Sequence, residues 1–85
     1  MMLRLRQHVS TTDTDGGLVL LDERAGRYWQ LNWTGTLVLR HLLEGASPQD
    51  AAETLANRYA VTAEQAATDV DALLEHLRTV GLVTL

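Results

Sequence analysis

Residues 22–35, "DERAGRYWQLNWTG", decide the fold, because the spacing of apolar residues changes inside them. Residues 23–26 carry turn chemistry, and Gly26 can take the φ > 0 position that a three- to five-residue hairpin loop demands. Residues 18–31 therefore read as a tight hairpin, with "LVLLDE" (18–23) as one arm and "RYWQL" (27–31) as the other. From Asn32 onward the period becomes helical. The same stretch holds three of the chain's four aromatics, Tyr28, Trp29 and Trp33, in a protein without phenylalanine.

Upstream, "LRLRQHV" (3–9) alternates apolar and polar and reads as a half-buried strand, with the all-turn composition of "STTDTDGG" (10–17) after it. Three antiparallel strands are thus expected before the first helix. Downstream, Asn32 or Thr34 can cap a first helix carrying Leu37, Val38, Leu39, Leu42 and Leu43, with Gly45 suited to its left-handed stop. Ser47 followed by Pro48 opens a second helix whose buried side is Ala51, Ala52, Leu55, Ala56 and Tyr59. Thr62 with Gln65 forms a capping box, and Val61 with Ala66 a hydrophobic staple, for a third helix bearing Val70, Leu73, Leu74 and Leu77. Gly81 ends that helix, and the tail "LVTL" (82–85) can add a short strand. The expected class is α+β and winged helix-turn-helix-like: a three-stranded antiparallel sheet followed by three helices, in one domain spanning 1–85.

Composition removes several functions. The 85 residues contain no cysteine, so disulfides, thiol catalysis and thiolate metal sites are excluded. His8, His41 and His76 fall on different elements with no i, i+4 pair, and there is no Gly-rich phosphate loop; no catalytic constellation, metal site or cofactor site is expected. Thr11, Asp13, Asp15, Gly16 and Asp22 match part of a calcium-loop template. Threonine replaces its first aspartate, aspartate its bidentate glutamate, and strands its flanking helices, so a solvated turn is the better reading. Neither a signal-peptide core nor a run of about 20 apolar residues is present, which suggests a cytoplasmic protein with no membrane partner.

All seven basic residues are arginine. Arg4, Arg6, Arg24 and Arg27 are balanced by Asp13, Asp15, Asp22 and Glu23, whereas Arg40, Arg58 and Arg78 face seven carboxylates, so the whole net charge of −4 lies after residue 32. This weighs against the alternative of a winged-helix DNA-binding regulator. The third helix begins with Thr62, Ala63, Glu64 and Gln65 and carries Asp69, Asp71 and Glu75 against Arg78 alone, which a phosphate backbone repels. No nucleic-acid partner is expected.

The third strand is the last of the meander, so one of its edges is unpaired unless the C-terminal tail covers it. It lacks the lysine or proline that usually blunts such an edge. Taken singly, Trp29 and Leu31 read as core and Tyr28 as a surface residue. Taken as a unit, the strand can accept an extended peptide by backbone hydrogen bonding.

The stretch "LLDERAGRYWQLNWTGTLVLRHLLEG" (20–45) resembles PqqD-like proteins, the precursor-peptide recognition elements of ribosomal peptide natural-product pathways. It does so through Asp22, Gly26, Leu31, Asn32, Gly35 and the leucines after them. The resemblance runs on through Ala52, Leu55, Tyr59, Val70, Leu73, Leu77, Gly81 and Leu82, and a free-standing chain of this size looks most like the recognition protein of lasso-peptide biosynthesis. The resemblance implies a non-catalytic, chaperone-like adaptor. A leader peptide pairs with the strand formed by Arg27, Tyr28, Trp29, Gln30, Leu31 and Asn32, in a groove walled by Asp69, Val70, Leu73, Leu74 and Leu77. The implied protein partners are a leader peptidase, a transglutaminase-like cysteine protease, and a cyclase. An isolated subunit of a larger modifying enzyme is a third possibility.

Overall fold

The computed structural model describes residues 2–84. The elements run β1 (Arg4–Leu5), β2 (Val9–Thr14), β3 (Gly17–Asp22), β4 (Arg27–Gln30), α1 (Trp33–Leu43), α2 (Pro48–Arg58), α3 (Ala63–Thr79) and β5 (Val83–Thr84). The three-stranded antiparallel sheet has the order β2-β3-β4 and precedes the three helices, as the sequence implies. Its first strand is displaced from expectation. Of residues 3–9 only Val9 belongs to it; the others give the short β1, while the segment read as turn supplies the rest of β2, paired with β3 from Val9↔Asp22 to Thr14↔Gly17. Polar from Ser10 onward, β2 is exposed along most of its length and is held by that ladder, with no buried apolar face of its own beyond Val9. The C-terminal tail does form a strand, β5, which pairs antiparallel with β1 (Arg4↔Thr84, Leu5↔Val83) in a separate two-stranded sheet. Leu85 of the predicted tail lies outside the described residues.

The three helices begin where the sequence places their caps. The side chains of Asn32, Ser47 and Thr62 accept from the backbone N–H of Gly35, Asp50 and Gln65, each satisfying one free amide of a first turn. The capping box at Thr62 is only half made, because Gln65 Nε2 donates forward to Asp69 Oδ1 (2.8 Å). Tyr59 corrects another expectation. The apolar stripe of α2 continues by spacing from Leu55 to Tyr59, but the helix ends at Arg58, and Tyr59 caps it in an extended conformation, 38% exposed.

One core joins the layers: Leu18 and Leu20 of β3 with Leu31, Val38, Leu39, Leu42, Leu55, Val70 and Leu77, closed at the termini by Leu3, Leu82 and Val83. The corner between β4 and α1 is fixed by a buried polar relay. Leu18 N–H donates to Thr36 Oγ1 (3.0 Å), and that hydroxyl donates to the Asn32 carbonyl (2.8 Å). Thr36 thus pairs a strand amide that would otherwise be buried unsatisfied. The exposed Arg40 guanidinium of α1 pairs with the exposed Asp13 carboxylate of β2.

The β3–β4 turn is ordered by Asp22, whose Oδ1 accepts from the N–H groups of Ala25 and Arg24 (3.0 Å each) and lies 3.6 Å from His8 Nε2. The Ala25 N–H, followed by that of Arg24, holds the carboxyl below its ordinary value of 3.8. A depressed carboxyl pKa adds stability that is complete above the unfolded value and disappears as the pH falls through the folded one. Asp22→Asn is therefore expected to melt below the native chain at neutral pH and to converge with it as the pH drops below 3.8, in paired thermal melts across the acid range.

Candidate functional site

Backbone geometry fixes which groups of β4 face outward. The pairs Val19↔Gln30, Leu20↔Trp29, Leu21↔Tyr28 and Asp22↔Arg27 join β4 to β3. Beyond them, Leu31 N–H donates to the Leu18 carbonyl at 2.8 Å. In an antiparallel ladder, residues alternate between bonding the neighbour and pointing away from it. Leu31 bonds inward, so Trp29 and Arg27 do also, and the N–H and C=O groups of Tyr28 and Gln30 point to the outer edge. No described residue pairs with that edge, since β5 is committed to β1. Asn32, expected as the last residue of the strand, belongs instead to the cap of α1.

Side chains alternate in step with this, between the core face and the outer face of the sheet. Trp29 turns inward, half-buried, and meets His76 of α3 edge-on, with ring centroids 5.3 Å apart at 78°. Tyr28 is 75% exposed on the outer face. Trp33, 50% exposed, donates its indole N–H to the Asp15 carbonyl (3.2 Å) and so ties the first turn of α1 to the β2–β3 turn. The three clustered aromatics therefore do three jobs: one packs β4 on α3, one faces solvent beside the open edge, and one holds the hairpin to the helix.

The contact at His76 makes one flank of α3 the wall beside β4. Residues 69, 73 and 76 are spaced i, i+4, i+7 and share a face. The end of β4 opens into a concavity of about 350 Å³, where Asn32, Thr34, Gly35 and Val38 of the first helix region meet Leu55 and Tyr59 of α2, Val61, and Asp69 and Leu73 of α3. The structure thus gathers Asn32, Asp69 and Leu73, three of the residues singled out from sequence, around one cleft. Val70 and Leu77 are 1% and 0% exposed, sealed in the core behind that wall. Leu74 lies across the core stripe from Leu73, because one residue rotates a helix by roughly 100°. It shares its flank with Ala67 and Asp71, which line a separate α2–α3 cleft of about 390 Å³ faced by alanine methyls.

Sequence reading does not assign Thr34, Gly35, Val38, Leu55, Tyr59 and Val61 to the cleft, nor His76 to its wall. Spacing puts Tyr59 on the buried side of α2, and His76 falls on a helix with no i, i+4 histidine partner. A helix stripe shows which residues face the core, but not which flank meets the sheet. The three histidines are dispersed: His8 lies beside Asp22, His41 4.0 Å from Glu44, and His76 against Trp29. Among the described residues no three His, Asp or Glu side chains converge as a metal site, and no helix is long and apolar enough to cross a membrane.

Comparison with known proteins agrees with this architecture. Residues 17–83 match the family model for coenzyme PQQ synthesis protein D (PqqD). The protein in the solved structure "Lasso peptide synthetase B1 complexed with the leader peptide" is 42% identical, with a TM-score of 0.94 over 100% of both chains. "TbiB1 in Complex with the TbiA(beta) Leader Peptide" contains a protein of the same fold, 24% identical, with a TM-score of 0.84 over 94% of this chain and 93% of that one. No curated protein sequence matches the chain.

Proposed function

The chain belongs to the PqqD family, and from that premise we propose that it is a non-catalytic adaptor that binds the leader segment of a ribosomally made precursor peptide in lasso-peptide-type biosynthesis. The leader adds to β4 as a fourth strand and is presented to a transglutaminase-like leader peptidase, and from there to a cyclase. The observation that carries this reading is the outward row of N–H and C=O groups at Tyr28 and Gln30, set beside the wall of α3. It is supported by the 42% identical relative, whose structure is a complex with a leader peptide.

The residues proposed to bind divide into two sets. Backbone groups of Arg27, Tyr28, Trp29, Gln30 and Leu31 set the register, those of Tyr28 and Gln30 by direct pairing at about 0.5–1.5 kcal/mol for each bond. Alternate leader side chains then turn toward Trp29, His76 and Leu73, with Asn32 and Asp69 at the mouth of the cleft. Val70 and Leu77 act from behind, as the core that holds the wall. The protein turns nothing over. Its effect on the reaction is proximity, since a leader tethered beside the peptidase is present at an effective concentration on the order of millimolar.

The test is a titration of the purified chain with a candidate leader peptide from a lasso-type precursor, followed by tryptophan fluorescence. Trp29 lines the groove, so a saturable change is expected, and its absence at micromolar leader would remove the reading. Leu73→Ala is expected to weaken binding about tenfold, as a truncated apolar anchor costs on the order of 1–2 kcal/mol. Tyr28→Ala, which loses only a cross-strand neighbour, should cost a few-fold. Leu74→Ala, on the far flank, should change affinity by less than about twofold.

A further inference from the structure

The β1–β5 corner collects guanidinium groups that pair with no carboxylate among the described residues. Arg4 and Arg6 stand two residues apart and are both exposed, while Leu3 between the chain end and Arg4 is buried and Leu5 is half-buried. Arg24 is brought to the same place by the β3–β4 turn, because Glu23 N–H donates to the His8 carbonyl at 2.8 Å and the Asp22 carboxylate lies against His8. Arg4, Arg6 and Arg24, with His8 and Thr84, line a concavity of about 350 Å³. Beyond Arg6 and Thr84 an adjoining concavity of about 490 Å³ adds Arg78 and Glu75, three residues apart on α3. None of these four arginines is ion-paired with a described carboxylate. Glu23, next to Arg24 and exposed, forms no ion pair with it, and Asp22 is occupied by two backbone amides and His8.

Four of seven arginines therefore face one corner of a chain whose net charge is −4. Converging guanidiniums raise the local potential, and their planar forks match carboxylates in pairs. The footprint is too small for a nucleic-acid duplex, which needs an extended basic stripe, and the acidic helices beside it repel phosphate. None of Arg4, Arg6 and Arg24 lies on β4 or on the flank of α3 that walls it. The corner stays open when the edge of β4 is filled.

We propose that this corner docks an acidic surface segment of the leader peptidase while the leader occupies β4. The inference rests on the adaptor reading and assigns its second contact. Carboxylates of the partner pair with Arg4, Arg6 and Arg24, which speeds encounter and orients the peptidase relative to the bound leader.

The experiment titrates the full chain, loaded with leader peptide, against the purified peptidase by calorimetry. Arg4→Glu/Arg6→Glu is expected to weaken peptidase binding at least tenfold while leader affinity stays within about twofold, and native affinity should fall as salt rises from about 50 to about 300 mM. Arg24→Glu, in a turn that is anchored by its backbone, should weaken peptidase binding in the same direction and serves if the double variant folds poorly. Unchanged peptidase affinity in the charge-reversed chains overturns the docking site and leaves the adaptor reading standing. A parallel loss of leader affinity also overturns it, by assigning the corner to the leader. No binding of the native chain to the peptidase overturns it together with the presentation step, and the leader titration then stands alone.

Discussion

Gln30→Pro is expected to lower leader affinity by about 100-fold or more while the far-ultraviolet circular dichroism and the melting temperature remain close to those of the native chain. The direction follows from the ladder. Gln30 pairs with Val19 in register, but its N–H points away from β3, so proline there removes no bond of the existing sheet. It removes one of two outward donors and places a ring where an incoming strand must approach. One hydrogen bond at about 1 kcal/mol accounts for less than tenfold; displacement of the neighbouring contacts accounts for the rest, toward roughly 3 kcal/mol. Trp29→Pro is the contrast, since it removes an inward donor and damages the sheet itself. Retention of leader affinity within threefold in the Gln30 variant would remove strand addition from the account, whatever the peptide then binds.

The largest stability effect is expected at Gly17. This residue opens β3 with φ +131°, is buried, and has no room for a side chain: a Cβ there would lie 2.0 Å from the Leu31 carbonyl oxygen. Backbone strain of 1–3 kcal/mol combines with a clash against backbone that is itself fixed by the Leu31–Leu18 bond and the Thr36 relay. Gly17→Ala is therefore expected to cost about 3–5 kcal/mol, which for a domain of this size lowers the melting temperature by roughly 15 °C or more. Gly26 gives the comparison. Its φ is also positive, but an added Cβ meets nothing within 4 Å, so Gly26→Ala should cost about 1 kcal/mol. Equal melting temperatures for the two variants would show that the corner between β3 and α1 can yield.

The helices were legible in the sequence because their signals are local. Asn32, Ser47 and Thr62 each accept from the amide three residues on, and Pro48 stands where its missing donor is harmless. The sheet was legible in its last two strands, where apolar alternation meets a glycine turn. Its first strand was not. Residues 10–14 are serine, threonine and aspartate, and turn chemistry outweighed the β-preference of Thr11, Thr12 and Thr14; only pairing with the apolar β3 decides between them. At the site, chain order alone identified the open edge of β4. The wall was less legible, because adjacent leucines of one stripe, Leu73 and Leu74, diverge to opposite flanks of α3. Which flank meets the sheet is set by Trp29 packing edge-on against His76, a contact between residues 47 apart in sequence.

The pairing of β1 with β5 also shapes what the domain can be joined to. Arg4 lies opposite Thr84, so both ends of the described chain leave the fold at a single seam, in a sheet separate from the one that carries β4. A module built this way can be spliced into a larger polypeptide at that seam, or rejoined end to end and reopened at the exposed Gly45 bend, with its recognition strand untouched.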